Sequence, residues 1–240
     1  MDLDKLKIKI FADGANLDEI KKLNAEEWVK GFTTNPTLMN KAGVADYKSF
    51  ALEVLSEVQQ KPVSFEVFAD EFDEMEKQAK EISSWGENIY VKIPVTNTKG
   101  ESSKNLIKKL SDSGIKMNIT AVFTINQTRE IVEAFSPKTA NIISVFAGRV
   151  ADSGIDPIPI MKDCLNVMKS KPKNELLWAS PRELLNLIQA DEIGCHIITV
   201  TGDLLEKTKL IGKNLEEYSR ETVEMFFNDA SEAGYKIETK

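Results

Sequence analysis

Short apolar runs alternate with longer stretches of helical spacing along most of the chain. The runs are rich in β-branched residues, whereas the stretches between them repeat apolar positions every three or four residues, as amphipathic helices do. This alternation predicts repeated strand–helix units around a parallel sheet. The predicted strands are Ile8–Asp13, Gly31–Asn35, Val63–Phe68, Ile89–Val95, Lys116–Val122, Asn141–Gly148, Leu176–Ser180 and His196–Thr201. The predicted helices are Leu17–Asn24, Asp46–Gln59, Glu71–Ser84, Ser102–Ser113, Asn126–Phe135, Pro157–Lys169, Pro181–Ala190 and Gly202–Leu210.

Eight such units in 240 residues match the size of a closed (β/α)8 barrel, the TIM-barrel architecture of the α/β class. An open, doubly wound sheet is the alternative, because strand order cannot be read from one sequence. No linker or low-complexity tract interrupts the chain, which predicts a single domain over residues 1–240 with residues 212–240 as a C-terminal helical extension. Within that extension, Glu216–Phe227 is amphipathic and could either close the bottom of the barrel or contact a neighbouring subunit.

Charge and hydropathy narrow the expected partners and location. The chain carries 31 basic and 38 acidic residues, a net charge of −7, and these residues are scattered. Nucleic acid and anionic membrane surfaces are therefore not expected partners. The apolar run Ile142–Ala147 is far shorter than the roughly 20 residues that span a bilayer, and the N-terminus lacks the apolar segment of a signal peptide. A cytoplasmic protein is predicted.

The scarcity of cysteine and histidine removes several kinds of chemistry. Cys164 and Cys195 form no CxxC pair, which argues against a disulfide framework and a thiolate metal site. Because His196 is the only histidine in the sequence, a serine or cysteine triad lacks its usual base and an imidazole zinc site lacks its ligands. Acid/base work would fall to carboxylates, lysine or tyrosine, and no metal is expected.

Every predicted strand carries a polar side chain towards its carboxyl end, where the catalytic groups of (β/α)8 barrels cluster. From Glu66 to Lys92 and on to Asn118 each step is 26 residues, and the same step leads to Ser144. Equal spacing is expected of groups that lie at one height in successive units. The strand-end residues are Asp13, Thr33, Asn35, Glu66, Lys92, Asn118, Thr120, Ser144, Ser180, Thr199 and Thr201.

Several candidate residues have simple structural explanations when each is taken alone. Asp13 and Asn35 lie in sequences typical of turns. Ser180 and Arg182 could cap the next helix, although a helix N-terminus beside an arginine also holds phosphate. Arg149 could be a solvated surface charge.

Glu66 and Lys92 are charged residues within apolar strand sequences, VSFEVF and IYVKIPV. A buried charge needs a partner or must become neutral. Desolvation favours the neutral amine of a lysine, and a neutral amine is a nucleophile that forms a Schiff base with a carbonyl. In the alternative interpretation, Lys92 reaches the surface or pairs with Glu66 or Asp13.

Segments in order along nearly the whole chain resemble the transaldolase family. The resemblance begins with FADGAN around Asp13 and extends to the eighth strand, and the chain length is similar to that of the short transaldolase group, which includes the fructose-6-phosphate aldolases. The family's fold is a (β/α)8 barrel, which agrees with the strand count. The other matching segments are GFTTNPTL (31–38), SFEVF (64–68), VKIPVT (91–96), NITAVFT (118–124), SVFAGR (144–149) and ASPR (179–182).

The resemblance implies roles for individual residues. Lys92 would be the Schiff-base lysine, and Asp13 the general acid/base at the hydroxyl of the carbon whose bond breaks. Glu66 would transfer protons through a water held by Thr120. The residues implied to bind hydroxyls of the three-carbon unit are Thr33, Asn35, Asn118 and Ser144. The residues implied to bind the phosphate are Arg149, Ser180 and Arg182.

Two positions bear on the type of reaction. Fructose-6-phosphate aldolases typically carry glutamine at the position of Glu66 and tyrosine at that of Phe146, whereas transferring enzymes carry glutamate and phenylalanine. Both positions therefore favour transfer of a dihydroxyacetone unit between sugar phosphates, as in the pentose phosphate pathway. The alternatives are an aldolase, a transaldolase for sulfonated sugars, and a non-catalytic sugar-phosphate-binding protein. The resemblance also implies a homo-oligomer, either a pentamer or a decamer.

Overall fold

The computed structural model describes residues 3–239, in which eight parallel strands form a closed barrel in sequence order. This topology confirms the predicted (β/α)8 fold and excludes the open sheet. Residues 1, 2 and 240 of the predicted domain lie outside the described residues. The strands are β1 Lys9–Asp13, β2 Val29–Thr33, β3 Val63–Glu66, β4 Ile89–Pro94, β5 Met117–Val122, β6 Ile142–Val145, β7 Glu175–Trp178 and β8 Ile197–Thr201.

Helices connect successive strands and surround the barrel. Short 3-10 helices also occur at Leu3–Lys5 and Lys207–Leu210. The α-helices are α1 Leu17–Asn24, α2 Pro36–Lys41, α3 Tyr47–Glu57, α4 Phe72–Ser83, α5 Lys104–Asp112, α6 Ile125–Ala134, α7 Ala147–Asp152, α8 Pro157–Met168, α9 Leu185–Glu192, α10 Gly202–Glu206 and α11 Leu215–Glu232.

The apolar core has two parts, because successive side chains of a strand point to opposite faces. On β3, Val63 and Phe65 are fully buried in the cluster that also contains the apolar residues of the surrounding helices. A smaller cluster, which includes Phe11 and Leu177, fills the lower part of the barrel interior. The polar residues Ser64 and Glu66 alternate with the outward-facing pair on β3, so the upper interior is left to polar groups.

Two short helices, α2 and α7, differ from the elements predicted from the sequence, and they change the ends of strands. β2 ends at Thr33 instead of Asn35, because the Asn35 side chain caps α2 by accepting from the amide of Leu38 at 3.0 Å. β6 ends at Val145, and the apolar stretch that follows it is α7. A continuous apolar run does not distinguish a buried strand from the start of a buried helix.

The predicted helix Pro181–Ala190 begins later, at Leu185, because the chain first bends at the end of β7. Ser180 has a left-handed backbone with φ of 56°. Gly148 of α7 packs against this bend, and a Cβ at position 148 would lie 1.5 Å from the carbonyl oxygen of Ser180. A glycine is therefore required where α7 meets the end of β7.

The last helix, α11, has no buried residue along its length. Its apolar side chains include Val223, Phe226 and Phe227, which are 64%, 63% and 71% exposed. A helix that closed the bottom of the barrel would bury such side chains, so this interpretation of the extension does not hold. No helix within residues 3–239 combines the length and apolarity needed to cross a bilayer.

Candidate active site

A cavity of about 600 Å³ opens at the carboxyl ends of the strands. All of the predicted site residues line it, so the barrel brings together side chains from seven different strand ends and the segments after them. The predicted residues in its wall are Asp13, Thr33, Asn35, Glu66, Lys92, Asn118, Thr120, Ser144, Phe146, Arg149, Ser180 and Arg182.

Lys92 lies on β4 inside the barrel and is 6% exposed. Its Nζ donates to the carbonyl oxygen of Thr34 at 2.7 Å and lies 3.2 Å from Oε2 of Glu66. Glu66 and Lys92 are register partners on β3 and β4, which places both side chains on the inner face. Lys92 is thus paired with Glu66, as the interpretation of Lys92 as an ion-pair partner expected. The Glu66 carboxylate is also in a position to accept a proton from the lysine.

Asp13 ends β1, which lies across the barrel from β5. Its Oδ1 accepts from the hydroxyl of Thr33 at 2.8 Å. Burial raises the pKa of the Asp13 carboxyl, and this effect outweighs the nearby charge of Lys92 and the bond from Thr33, which lower it. A carboxyl with a raised pKa gains and loses a proton more readily near neutral pH, which suits acid/base chemistry.

Thr199 on β8 extends this bond into a chain of hydroxyls. Its Oγ1 is hydrogen-bonded to Oγ1 of Thr33. Since Thr33 donates its single proton to Asp13, Thr199 donates to Thr33. The sequence places Thr199 at a strand end but does not indicate a role for it, because only closure of the barrel between β8 and β1 brings it beside Thr33.

Asn118, Ser144 and Ser64 form a second polar chain across β5, β6 and β3. The hydroxyl of Ser144 donates to Oδ1 of Asn118 at 2.6 Å, and Nδ2 of Asn118 donates to Oγ of Ser64 at 3.1 Å. Glu66, Lys92 and Asn118 are register partners and lie at one height in the barrel. The register partner of Asn118 on β6 is Ile142, so Ser144 lies two residues further along its strand. The Ser144 hydroxyl nevertheless reaches the amide of Asn118.

Two arginines and an aromatic ring form the rim beyond β6 and β7. Arg182 binds both carboxylate oxygens of Asp152, with Nε at 2.9 Å from Oδ1 and Nη2 at 2.5 Å from Oδ2. The guanidinium of Arg149 lies over the ring of Phe146, with 5.2 Å between Cζ and the ring centroid. Ser180 lies next to these groups because Gly148 allows α7 to approach the end of β7.

Further rim residues come from the segment after β8, in which no functional residue was predicted from the sequence. Asp203 accepts from the hydroxyl of Thr201 at 2.5 Å, and Lys207 lies beside them in the cavity wall. The Gly-Asp pair directly after the eighth strand was the available signal for this part of the site.

The remaining reactive residues lie away from the cavity. Burial raises the pKa of both cysteine thiols, that of Cys195 to about 12, so both stay protonated at neutral pH. His196 accepts from the amide of Leu176 through Nδ1 at 3.0 Å and borders a separate groove outside the barrel. Within residues 3–239, no three His, Cys, Asp or Glu side chains are grouped as metal ligands.

The fold and the cavity define a (β/α)8 barrel protein with a lysine–carboxylate pair at the carboxyl ends of its strands. The chain belongs to the transaldolase/fructose-6-phosphate aldolase family, whose sequence model matches residues 10–239. This match confirms the resemblance on which the roles of the site residues were predicted.

Relatives of this family are similar over most of the chain. A probable transaldolase from Dehalococcoides mccartyi is 37% identical over 194 residues, which cover 80% of this chain and 86% of the relative. A probable transaldolase from Thermoanaerobacter sp. is 34% identical over 234 residues, which cover 96% of this chain and all of the relative.

Solved structures share the fold at low sequence identity. A putative lyase/mutase from Burkholderia cenocepacia superposes with a TM-score of 0.59 at 12% identity, covering 92% of this chain and 84% of the other. A dihydrodipicolinate synthase from Rhodopseudomonas palustris superposes with a TM-score of 0.56 at 15% identity, covering 96% and 81%. These likenesses concern the barrel alone.

Proposed function

We propose that the protein is a transaldolase of the pentose phosphate pathway that acts through a Schiff base on Lys92. It would transfer a dihydroxyacetone unit from fructose 6-phosphate or sedoheptulose 7-phosphate to an aldose phosphate. The observation that carries this proposal is the buried Nζ of Lys92, 3.2 Å from the Glu66 carboxylate in a cavity lined by polar side chains. Family membership and relatives named probable transaldolase support it.

The first stage joins the lysine to the ketone. Glu66 takes the proton of the Lys92 ammonium, and the free amine attacks the carbonyl carbon of the ketose to give a carbinolamine. The same carboxyl returns a proton, through a water held by Thr120, to the departing hydroxyl. Water leaves and a protonated imine remains on Lys92.

The second stage breaks the bond between the third and fourth carbons of the donor. Asp13 accepts the proton of the hydroxyl on the fourth carbon, and the aldose phosphate leaves as an aldehyde. The electron pair of the broken bond moves into the iminium and forms an enamine, so the lysine nitrogen is the electron sink. In the transfer half, the enamine attacks the acceptor aldehyde and Asp13 returns its proton to the new hydroxyl.

The rest of the cavity would hold and orient the substrate. Hydrogen-bonding groups of Thr33, Asn35, Asn118 and Ser144 would fix hydroxyls of the three-carbon unit. Arginine forms paired hydrogen bonds with phosphate, which suits the rim for the phosphate end of the sugar. The proposed phosphate ligands are Arg149, Ser180 and Arg182, with the ring of Phe146 as a neighbouring wall.

Borohydride reduction in the presence of fructose 6-phosphate tests the proposal. We expect mass spectrometry to find the reduced three-carbon adduct on the peptide that contains Lys92, and Lys92→Met protein to give no adduct. An unchanged mass for the wild-type protein contradicts the Schiff-base mechanism. Calorimetry that detects tight sugar-phosphate binding without turnover would instead favour a binding protein.

A comparison with and without an acceptor separates transfer from simple aldol cleavage. Glu66 and Phe146 carry the residue types of transferring enzymes, so we expect glyceraldehyde 3-phosphate to appear at a substantial rate only when erythrose 4-phosphate is added. Equal rates without the acceptor would favour an aldolase. A parallel assay with sulfonated ketoses tests the preference for the anionic group.

A further inference from the structure

Tyr47, the first residue of α3, reaches the end of β3 with its phenol. The hydroxyl donates to the carbonyl oxygen of Glu66 at 2.8 Å and accepts from the amide nitrogen of Glu66 at 2.7 Å. One side chain therefore holds both backbone polar groups of the residue whose carboxylate contacts Lys92. Tyr47 itself does not line the cavity.

The phenol occupies the place of a neighbouring strand. β2 and β3 are hydrogen-bonded up to the amide of Thr34, which donates to the carbonyl of Ser64 at 3.3 Å. The next bond of a parallel ladder would join the amide of Glu66 to the carbonyl of Thr34. Instead, that amide donates to Tyr47, and the Thr34 carbonyl accepts from Nζ of Lys92 at 2.7 Å.

We infer that Tyr47 is a positioning residue for the lysine–carboxylate pair. By holding the backbone of Glu66, Tyr47 leaves the carbonyl of Thr34 to Lys92 and fixes the Glu66 carboxylate beside the ammonium. The inference rests on the proposed function of Lys92 and adds a residue outside the cavity to that reaction.

Aromatic packing holds the phenol in this orientation. The Tyr47 ring meets Phe65 edge-on, with 6.1 Å between centroids, and contacts Phe68 and Trp85 at 4.5 and 5.8 Å. Burial raises the pKa of the Tyr47 phenol. The hydroxyl consequently keeps its proton at all pH values at which the enzyme would work, and it both donates and accepts.

Removal of the hydroxyl affects the chemical steps more than substrate binding. In Tyr47→Phe, the amide of Glu66 loses its hydrogen-bond acceptor and competes with Lys92 for the carbonyl oxygen of Thr34. The Glu66 carboxylate then moves relative to Nζ, and proton transfer at the lysine slows. Tyr47 makes its hydrogen bonds to Glu66 and not to the proposed hydroxyl- and phosphate-binding residues, so we expect substrate binding to change little.

Tyr47→Phe and Tyr90→Phe form a matched pair, because each removes one phenolic oxygen from the barrel. Tyr90 lies near the opposite end, in the groove lined by Phe11 and Ile142. For Tyr47→Phe we expect kcat and the rate of borohydride trapping to fall by about tenfold or more, with KM within about twofold of wild type. Tyr90→Phe should keep the wild-type values. A Tyr47→Phe protein with wild-type kcat and trapping rate overturns the inference.

A double-mutant cycle separates positioning through Glu66 from general loss of structure. In a Glu66→Gln background, Tyr47→Phe should lower the residual trapping rate by a clearly smaller factor, because the proton-transferring carboxylate is already absent and only the competition for the Thr34 carbonyl remains. If Tyr47→Phe lowers the rate by the same factor in both backgrounds, its effect does not pass through Glu66 and the inference fails.

Reductive methylation of Lys92 by formaldehyde and cyanoborohydride needs no sugar. Peptide mass spectrometry should find slower methylation of Lys92 in Tyr47→Phe than in wild type or Tyr90→Phe, on samples with the same far-ultraviolet circular dichroism. This result would support the positioning even if wild-type protein formed no sugar adduct, in which case only the transaldolase proposal would fail. Equal methylation rates in all three proteins would overturn the positioning.

Discussion

The Lys92–Glu66 pair illustrates at the scale of single residues why buried charges call for a functional explanation. Taking two charges out of water costs several kcal/mol per ion, and an apolar pair of similar volume is often at least as stable. Stability alone therefore does not explain why this sequence has an ion pair at these two positions. Its place at the carboxyl ends of two adjacent strands, with the carboxylate 3.2 Å from the amine, accords with proton transfer at a nucleophilic lysine.

Asp13→Asn should separate the covalent step from carbon–carbon cleavage. We expect trapping of the Schiff base to persist while cleavage slows by about 100-fold or more, because the amide accepts no proton. The raised pKa of Asp13 also predicts that the acid limb of the wild-type pH profile lies above the ordinary range of an aspartate. Unchanged cleavage in this variant would remove Asp13 from the mechanism.

The same substitution should change stability in a pH-dependent way. The pKa of Asp13 is raised in the folded state, so the folded protein loses stability as pH rises through that pKa. The loss is absent below the pKa of an aspartate in the unfolded chain, about 3.9. Asp13→Asn should therefore unfold at a higher temperature than wild type at pH 7, with the difference shrinking on acidification. Thermal unfolding at several pH values measures this, and a pH-independent difference would contradict it.

Thr199→Val tests the hydroxyl chain to Asp13. The hydrogen bond from Thr33 to the Asp13 carboxylate lowers the pKa of Asp13. Without the bond from Thr199, the Thr33 hydroxyl is less firmly directed at that carboxylate. The acid limb of kcat should move to higher pH and kcat should fall by about fivefold, with KM little changed. Thr139→Val removes another buried hydroxyl, one that donates to Ser111 away from the site, and should leave the limb in place. An identical limb in Thr199→Val and wild type would argue against the chain.

At the scale of elements, strand–helix junctions build the site. Asn35 both caps α2 and lines the cavity. Because β2 ends before this cap, the carbonyl of Thr34 is not paired with β3 and accepts from Lys92. Between β6 and β7, Gly148 brings the start of α7 against the bend at Ser180, which gathers the rim residues. Each junction gives up regular strand pairing and gains a polar group that faces the cavity.

Gly148→Ala should disrupt the rim. The added methyl group meets the carbonyl oxygen of Ser180 at 1.5 Å, so α7 must shift away from β7. We expect the free energy of unfolding to fall by about 3 kcal/mol and KM for the sugar phosphate to rise severalfold, since Arg149 moves with the helix. Gly14→Ala, whose Cβ meets nothing within 4 Å, is the control for stability. Wild-type stability in Gly148→Ala would mean that the junction relaxes without cost.

At the scale of the whole molecule, the barrel buries its core but leaves α11 uncovered. Large exposed apolar patches on soluble proteins mark contact surfaces, and the resemblance to short transaldolases implies a ring of subunits. We propose that α11 contributes to a homo-oligomer, a pentamer or decamer. No residue of α11 is among the side chains that line the cavity, so we expect substitutions on its exposed face to act on assembly.

Phe226→Glu combined with Phe227→Glu should weaken this assembly. Both rings are exposed in the single chain, and a charge at an apolar contact loses its water when subunits meet. Sedimentation velocity should find a shift from oligomer to monomer in the variant, while Asn228→Glu, beside the rings, should remain assembled. Monomeric wild-type protein at the same concentration would contradict the proposed assembly.

The sequence by itself determined the alternation of strands and helices, and it predicted the closed barrel by size and many of the residues that line the cavity. It could do so because burial imposes a local period on the chain and because charged residues within apolar strands, such as Glu66 and Lys92, are visible without coordinates. The extra helices α2 and α7 were missed, since caps and apolar runs permit more than one local structure.

Only the tertiary structure decided which hydrogen bonds each site residue makes. Thr199 and Thr33 are 166 positions apart and meet because the first and last strands pair. Tyr47 substitutes for a strand neighbour of Glu66 because β2 has already left the sheet, and this leaves the carbonyl of Thr34 to Lys92. These hydrogen bonds depend on how distant parts of the backbone are placed in the folded barrel. Hydrophobic periodicity, in contrast, indicates only which side of each element is buried.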